Sequence, residues 1–279
     1  MDHNTFLKMK ETCVSNGFSA RGKAFFRVHG DGVLQVIHAA KERSIKTPLV
    51  SFGLFSMYDD LLPQWFTASG CIPRYTVLPF LEKNDSYLFY SEVQEKRSVK
   101  ELFLEQVNAL DSLVMPWLDQ IDTQGKLAKA LAYVERMRSI VSLKNTIESM
   151  QRSLGYATEE DLRNCQAKLV ELECDEAYVV RWNDDLRYTP CLYSGDYSSA
   201  ERIVQAILDQ HESAYISNQS RMTAEEFERY MQRNRAEDAL WYRKLEIAKT
   251  KDAAAAKAFF NENYTANCRY GKFALQKKD

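Results

Sequence analysis

Residues 25–39 read FFRVHGDGVLQVIHA. Two short runs rich in β-branched and aromatic residues flank His29-Gly30-Asp31-Gly32. A His-Gly-x-Gly turn after a strand can supply the backbone N–H groups of a lipase-type oxyanion hole. The same residues can turn one strand back on the next, because glycine reaches the positive φ of a tight turn. The lipase reading needs a Gly-x-Ser-x-Gly elbow and strands alternating with helices. The chain has no such elbow, and short strand-like runs follow one another. The stretch therefore predicts a β-hairpin.

Working outward, residues 4–15 carry Phe6, Met9 and Cys13 at helical spacing and predict a helix, with Gly17 as its stop. Beyond the hairpin, PLVSFGLFS (48–56) reads as a strand. PRYTVLPFL (73–81) and SYLFYSEV (86–93) read as two more, the first at an edge or bulged because of Pro79. From Ser98 the pattern becomes helical. Ser98-x-x-Glu101 is a capping box, and Thr158-x-x-Asp161, Ser198-x-x-Glu201 and Thr223-x-x-Glu226 repeat its form. Residues 125–137 and 139–155 read as separate helices, and residues 188–208 as helix, Gly-Asp turn and helix, with small Ala200 at the crossing. The expectation is an α+β fold. An N-terminal antiparallel sheet with packed helices (1–137) precedes an all-α domain (138–279) of irregular helices without a fixed repeat.

Composition narrows function. The 279 residues are 45% hydrophobic and 27% charged, and the net charge is −2. Residues 1–120 and 121–279 each carry −1. That balance argues against a dedicated nucleic-acid binder, although a local basic stripe is an alternative. No apolar run reaches a membrane span, and no secretory leader is read at the N-terminus. Six scattered cysteines without a Cys-x-x-Cys pair predict reduced thiols in a cytoplasm.

Chemistry-bearing motifs are sparse. Phosphate-binding glycine loops are missing, and the His211-Glu212 stretch has Tyr215 where a second zinc-binding histidine would stand. No cofactor and no metal are expected. The candidate binding residues are Arg21 and Lys23, a small basic cluster able to hold an anion, and Tyr58, Asp59 and Asp60, read as an exposed loop. Aromatic stripes such as Trp241, Leu245 and Ala248 read as core.

The order of NGFSARGKAFFRVHGDGVLQVIHAAK (16–41), PLVSFGLFSMY (48–58) and MPWLDQIDTQGKLAKAL (115–131) resembles the bacterial family known as domain of unknown function 4304 (DUF4304). Gly17-Phe18, Gly22-Lys23, Val33 to Ile37 and Pro116-Trp117-Leu118 carry the likeness. The family's Lys-Gly order is reversed here, and the helical half is not covered. The resemblance implies a small α+β domain and no catalytic residues. By analogy with small α+β immunity proteins, it points to a module that binds a protein partner. The alternative is an enzyme with a site in the N-terminal domain, and the oligomeric state is left open.

Overall fold

The computed structural model describes residues 2–41, 46–59, 75–152, 158–174 and 185–271. The chain forms two compact units, Met1–Phe55 with Leu61–Trp182, and Ser56–Asp60 with Asn183–Asp279.

The first unit is built on a five-stranded antiparallel sheet in the order β1 (Ser19–Arg21), β2 (Ala24–His29), β3 (Val33–Lys41), β4 (Pro48–Ser56) and β5 (Tyr75–Thr76). Helix α1 (His3–Ser15) is capped by Asp2, whose carboxylate accepts from the Thr5 backbone at 2.9 Å. It sets Phe6 against Phe25 of β2 at 6.1 Å. The β2–β3 pairing runs from Ala24 opposite His38 to His29 opposite Val33, leaving Gly30-Asp31-Gly32 as the turn. Gly30 and Gly32 both have positive φ, and a Cβ on Gly30 would overlap the Asp122 carbonyl. The Asp31 N–H donates to that carbonyl at 2.6 Å. The group an oxyanion hole would need is thus occupied, and the turn is the expected hairpin.

Two of the expected strands are corrected. Of residues 73–81, the described ones, 75–81, form the two-residue β5 and then a 3-10 turn at Leu78–Leu81 with Pro79 near its start. Residues 86–93 fall within helix α2 (Asp85–Val93). Among its described side chains Leu88 and Ser91 are buried, while Tyr90 and Val93 are exposed. Burial three residues apart is a helical pattern, and Leu88 joins Leu49, Leu78 and Leu102 in one apolar cluster. Tertiary burial here outweighs the strand preference of aromatic residues.

Helix α3 (Val99–Ala109) opens on the Ser98–Glu101 capping box and continues through a π-turn (Leu110–Val114) into α4 (Met115–Asp119). Its buried Gln106 accepts from the Val50 N–H and donates to the Pro48 carbonyl, both at 2.9 Å. One side chain therefore satisfies backbone groups of β4, where an unmade hydrogen bond would be costly. Helix α5 (Gln124–Arg152) runs unbroken for 29 residues through the stretch expected to separate two helices. Helix α6 (Glu159–Cys174) packs along it, with the Thr158–Asp161 cap in place.

The second unit contains α7 (Asp185–Tyr193), α8 (Tyr197–Gln219), α9 (Ala224–Thr250) and α10 (Ala253–Gly271). The Gly-Asp turn and buried Ala200 occur as expected, but Asp196 rather than Ser198 caps α8, accepting from the Ser199 N–H at 3.1 Å. The Thr223–Glu226 capping box starts α9. Trp241, Leu245, Ala248, Phe259 and Phe260 are core residues. Residues 272–279, KFALQKKD, lie outside the described residues. Among the described residues no helix is long and apolar enough to cross a membrane.

Candidate binding cleft

The longest helix among the described residues of the first unit, α5, also lines a cleft. Thr123 starts α5 by accepting from the Lys126 N–H at 3.3 Å. From there Tyr133, Met137, Ile140, Lys144 and Glu148 recur every three to four residues and share one face. This stretch is about 22 Å long at 1.5 Å per residue. Pro79, Phe80 and Glu82, at the 3-10 turn, also line the opening, and the cleft encloses about 530 Å³.

The floor is braced from the sheet. Phe52 of β4 packs 5.9 Å from both Phe80 and Trp117, Phe80 lies 5.3 Å from Trp117, and Trp117 reaches Tyr133 at 6.1 Å. These edge-on and tilted ring pairs join the fully buried Phe52 to Tyr133, which remains 49% exposed. The two cations on the lining are engaged by the end of α6. Arg136 donates to the carbonyls of Leu172 and Glu173 at 2.6 and 2.9 Å, and Lys144 pairs with the Glu173 carboxylate at 2.9 Å. Cations at a helix C-terminus complement its dipole. The cleft thus offers an apolar and aromatic stripe with a polar border, the usual layout of a protein-recognition patch.

A titratable cluster lies beside this turn. The Glu105 carboxylate accepts from Lys83 at 2.7 Å and from the Tyr87 hydroxyl at 2.9 Å, and it pairs with Arg97 at 3.1 Å. The Lys83 ammonium also sits 3.8 Å over the Tyr87 ring. Burial would raise the Glu105 carboxyl. The Lys83 and Tyr87 hydrogen bonds and the two cationic charges outweigh it and hold the group below its ordinary value. The cluster ties the Lys83 turn, α2 and α3 together.

The residues singled out from sequence fall elsewhere. Arg21 and Lys23 share the exposed β1–β2 turn, with the Arg21 guanidinium 4.8 Å over the Phe26 ring. Tyr58 and Asp59 are not in an exposed loop: they are 2% and 1% exposed, inside the second unit. Tyr58 stacks on Tyr193 at 4.5 Å and on Tyr264 at 5.1 Å. Asn263 donates to the Tyr58 carbonyl, and Asn267 donates to the carbonyls of Met57 and Asp59. Segment 56–59 is an anchored strap of that unit's core. Asp60 lies outside the described residues.

Other reactive groups have structural settings. Cys13 is fully buried, and that burial pushes its thiol up to about 12. The described cysteines are free thiols. His38 lies within β3, opposite Ala24, and burial, then the nearby Lys23 charge, lowers its pKa. Among the described residues no group of three or more His, Cys, Asp or Glu is placed to hold a metal. Sequence reading missed the cleft. Its one local signal was the Tyr133–Met137–Ile140 stripe, and Phe80 stands 53 positions before Tyr133. Compared with family models, with curated proteins and with solved structures, the chain matches none of them.

Proposed function

We propose that this protein is a non-enzymatic protein-binding module that takes a partner segment into the α5 cleft. The observation that carries the reading is the open apolar stripe of Tyr133, Met137 and Ile140 on a helix braced from beneath by Trp117 and Phe52. A groove of this length and periodicity suits an amphipathic helix with apolar anchors three to four residues apart. Glu82 on the lining favours a partner with a basic flank, since Arg136 and Lys144 already serve α6. The resemblance of the N-terminal half to DUF4304, and the analogy with toxin-blocking immunity proteins, accord with this reading.

The test compares co-purification from the native host. The wild-type chain should retain one protein in fixed stoichiometry. Met137→Asp should weaken its retention at least about thirtyfold, the scale of a hot-spot loss of about 2 kcal/mol. Arg21→Ala, on the β1–β2 turn, should leave retention unchanged. Equal retention by wild type and Met137→Asp would refute the cleft as the docking site.

A further inference from the structure

The second unit contains a helical hairpin whose two halves are built differently. Near its base Val204, Leu208, Trp241 and Leu245 are buried. From Asp209 on α8 to Leu240 on α9 no described side chain is buried. One polar node stands where apolar burial stops. His211 and Asp238 lie three residues beyond Leu208 and three before Trp241, and His211 Nδ1 is 2.8 Å from Asp238 Oδ1. The Tyr215 hydroxyl, one helical turn further out, donates to Asp238 Oδ2. The Asp238 and His211 side chains are 16% and 26% exposed, so this carboxylate is partly withdrawn from water and satisfied by two donors from the opposite helix.

Beyond the node the seam is thin. Tyr215 meets Tyr230 edge-on at 5.7 Å, and Tyr230 meets Phe227 at 6.4 Å. The tip is held by the Thr223–Glu226 box and by the Arg221 and Met222 N–H groups on the Asn218 carbonyl. These bonds are local to the tip and do not join it to the core. A segment with so few buried contacts opens at a lower free energy than the core it extends from. Burial, then the Asp238 hydrogen bond and charge, raises the Tyr215 hydroxyl above its ordinary value, which keeps it a donor.

We propose that the His211–Asp238–Tyr215 node is a latch: it closes the distal α8–α9 arm, and when it is broken the arm opens while the core of its own unit stays folded. Opening would expose the faces of Tyr215, Phe227 and Tyr230. The inference does not depend on the cleft of the first unit.

Amide hydrogen exchange on the full chain tests it. In the wild type, residues 212–237 should exchange faster than 241–264. Asp238→Ala should speed exchange of 212–237 by about tenfold or more and leave 241–264 unchanged, because it strands two donors at once. Tyr215→Phe, a milder change, should speed the arm severalfold with the same confinement, and it decides the matter if Asp238→Ala does not fold. Unchanged exchange in the arm, or an equal rise in both segments, would overturn the proposal.

Discussion

The middle of α5 and the outer half of the α8–α9 hairpin are both stretches of long helix, yet they are completed in opposite ways: Val134, Glu135 and Val141 of α5 are buried, whereas no described side chain of the outer hairpin is. The α5 stripe is apolar, is braced on one side through Trp117, and opens on a cleft. The α8–α9 seam is closed by its own second helix, and a shared carboxylate holds its root. A rigid helix with an open apolar stripe is suited to recognition, since little order is lost on binding. A shallow seam held at one polar point is suited to opening. Stability beneath the two regions should therefore differ sharply.

The largest expected effect lies under the cleft. Phe52→Ala removes the ring that contacts Phe80, Trp117 and Tyr75, and should cost about 3–5 kcal/mol in denaturant unfolding. A loss under about 1 kcal/mol would mean that the floor is not braced by the sheet, and the contrast with the arm would fail.

A smaller effect should come from Glu105. Its carboxyl titrates lower in the folded chain than in the unfolded one. Its stabilisation is complete above the unfolded value of about 4.3 and is lost as pH falls through the folded value. Glu105→Gln should destabilise by about 1–2 kcal/mol near neutral pH, since the group is partly exposed and screened. The gap between variant and wild type should narrow as pH falls below the unfolded value of about 4.3 and through the lower folded one. A gap independent of pH would place the effect in packing rather than charge.

The smallest effect is expected on the arm. Ile216 is 65% exposed on α8, and Ile216→Ala should shift stability by less than about 0.5 kcal/mol. A loss above about 2 kcal/mol would show that the arm has a covered face and is not thinly packed.

The main strands of the sheet were readable because β-branched and aromatic runs were punctuated by glycine turns. β2 and β4 fall on residues 24–29 and 48–56 as expected. The helix starts at Ser98, Thr158 and Thr223 were readable because a capping box is a local chemical device. The errors arose where distant residues decide. Leu88 is helical because Leu49, Leu78 and Leu102 receive it, and none of these is within nine positions of it. Tyr58 and Asp59 resembled a loop end because the partners that bury them, Tyr193, Tyr264 and Asn267, follow more than 130 residues later. Separations of more than 50 positions likewise hid the cleft, whose walls come from the 3-10 turn and α5, and the role of Gln106 beside β4.

Docking of a protein partner in the α5 cleft, as proposed, can be read by covalent capture at the cleft itself. The most direct test is photo-crosslinking in the native host, with benzoylphenylalanine placed at Met137 in one strain and at Ile216 in another. A single crosslinked protein of defined mass is expected at position 137, and none in common with position 216. No adduct at 137, or the same set of adducts at both positions, would contradict it.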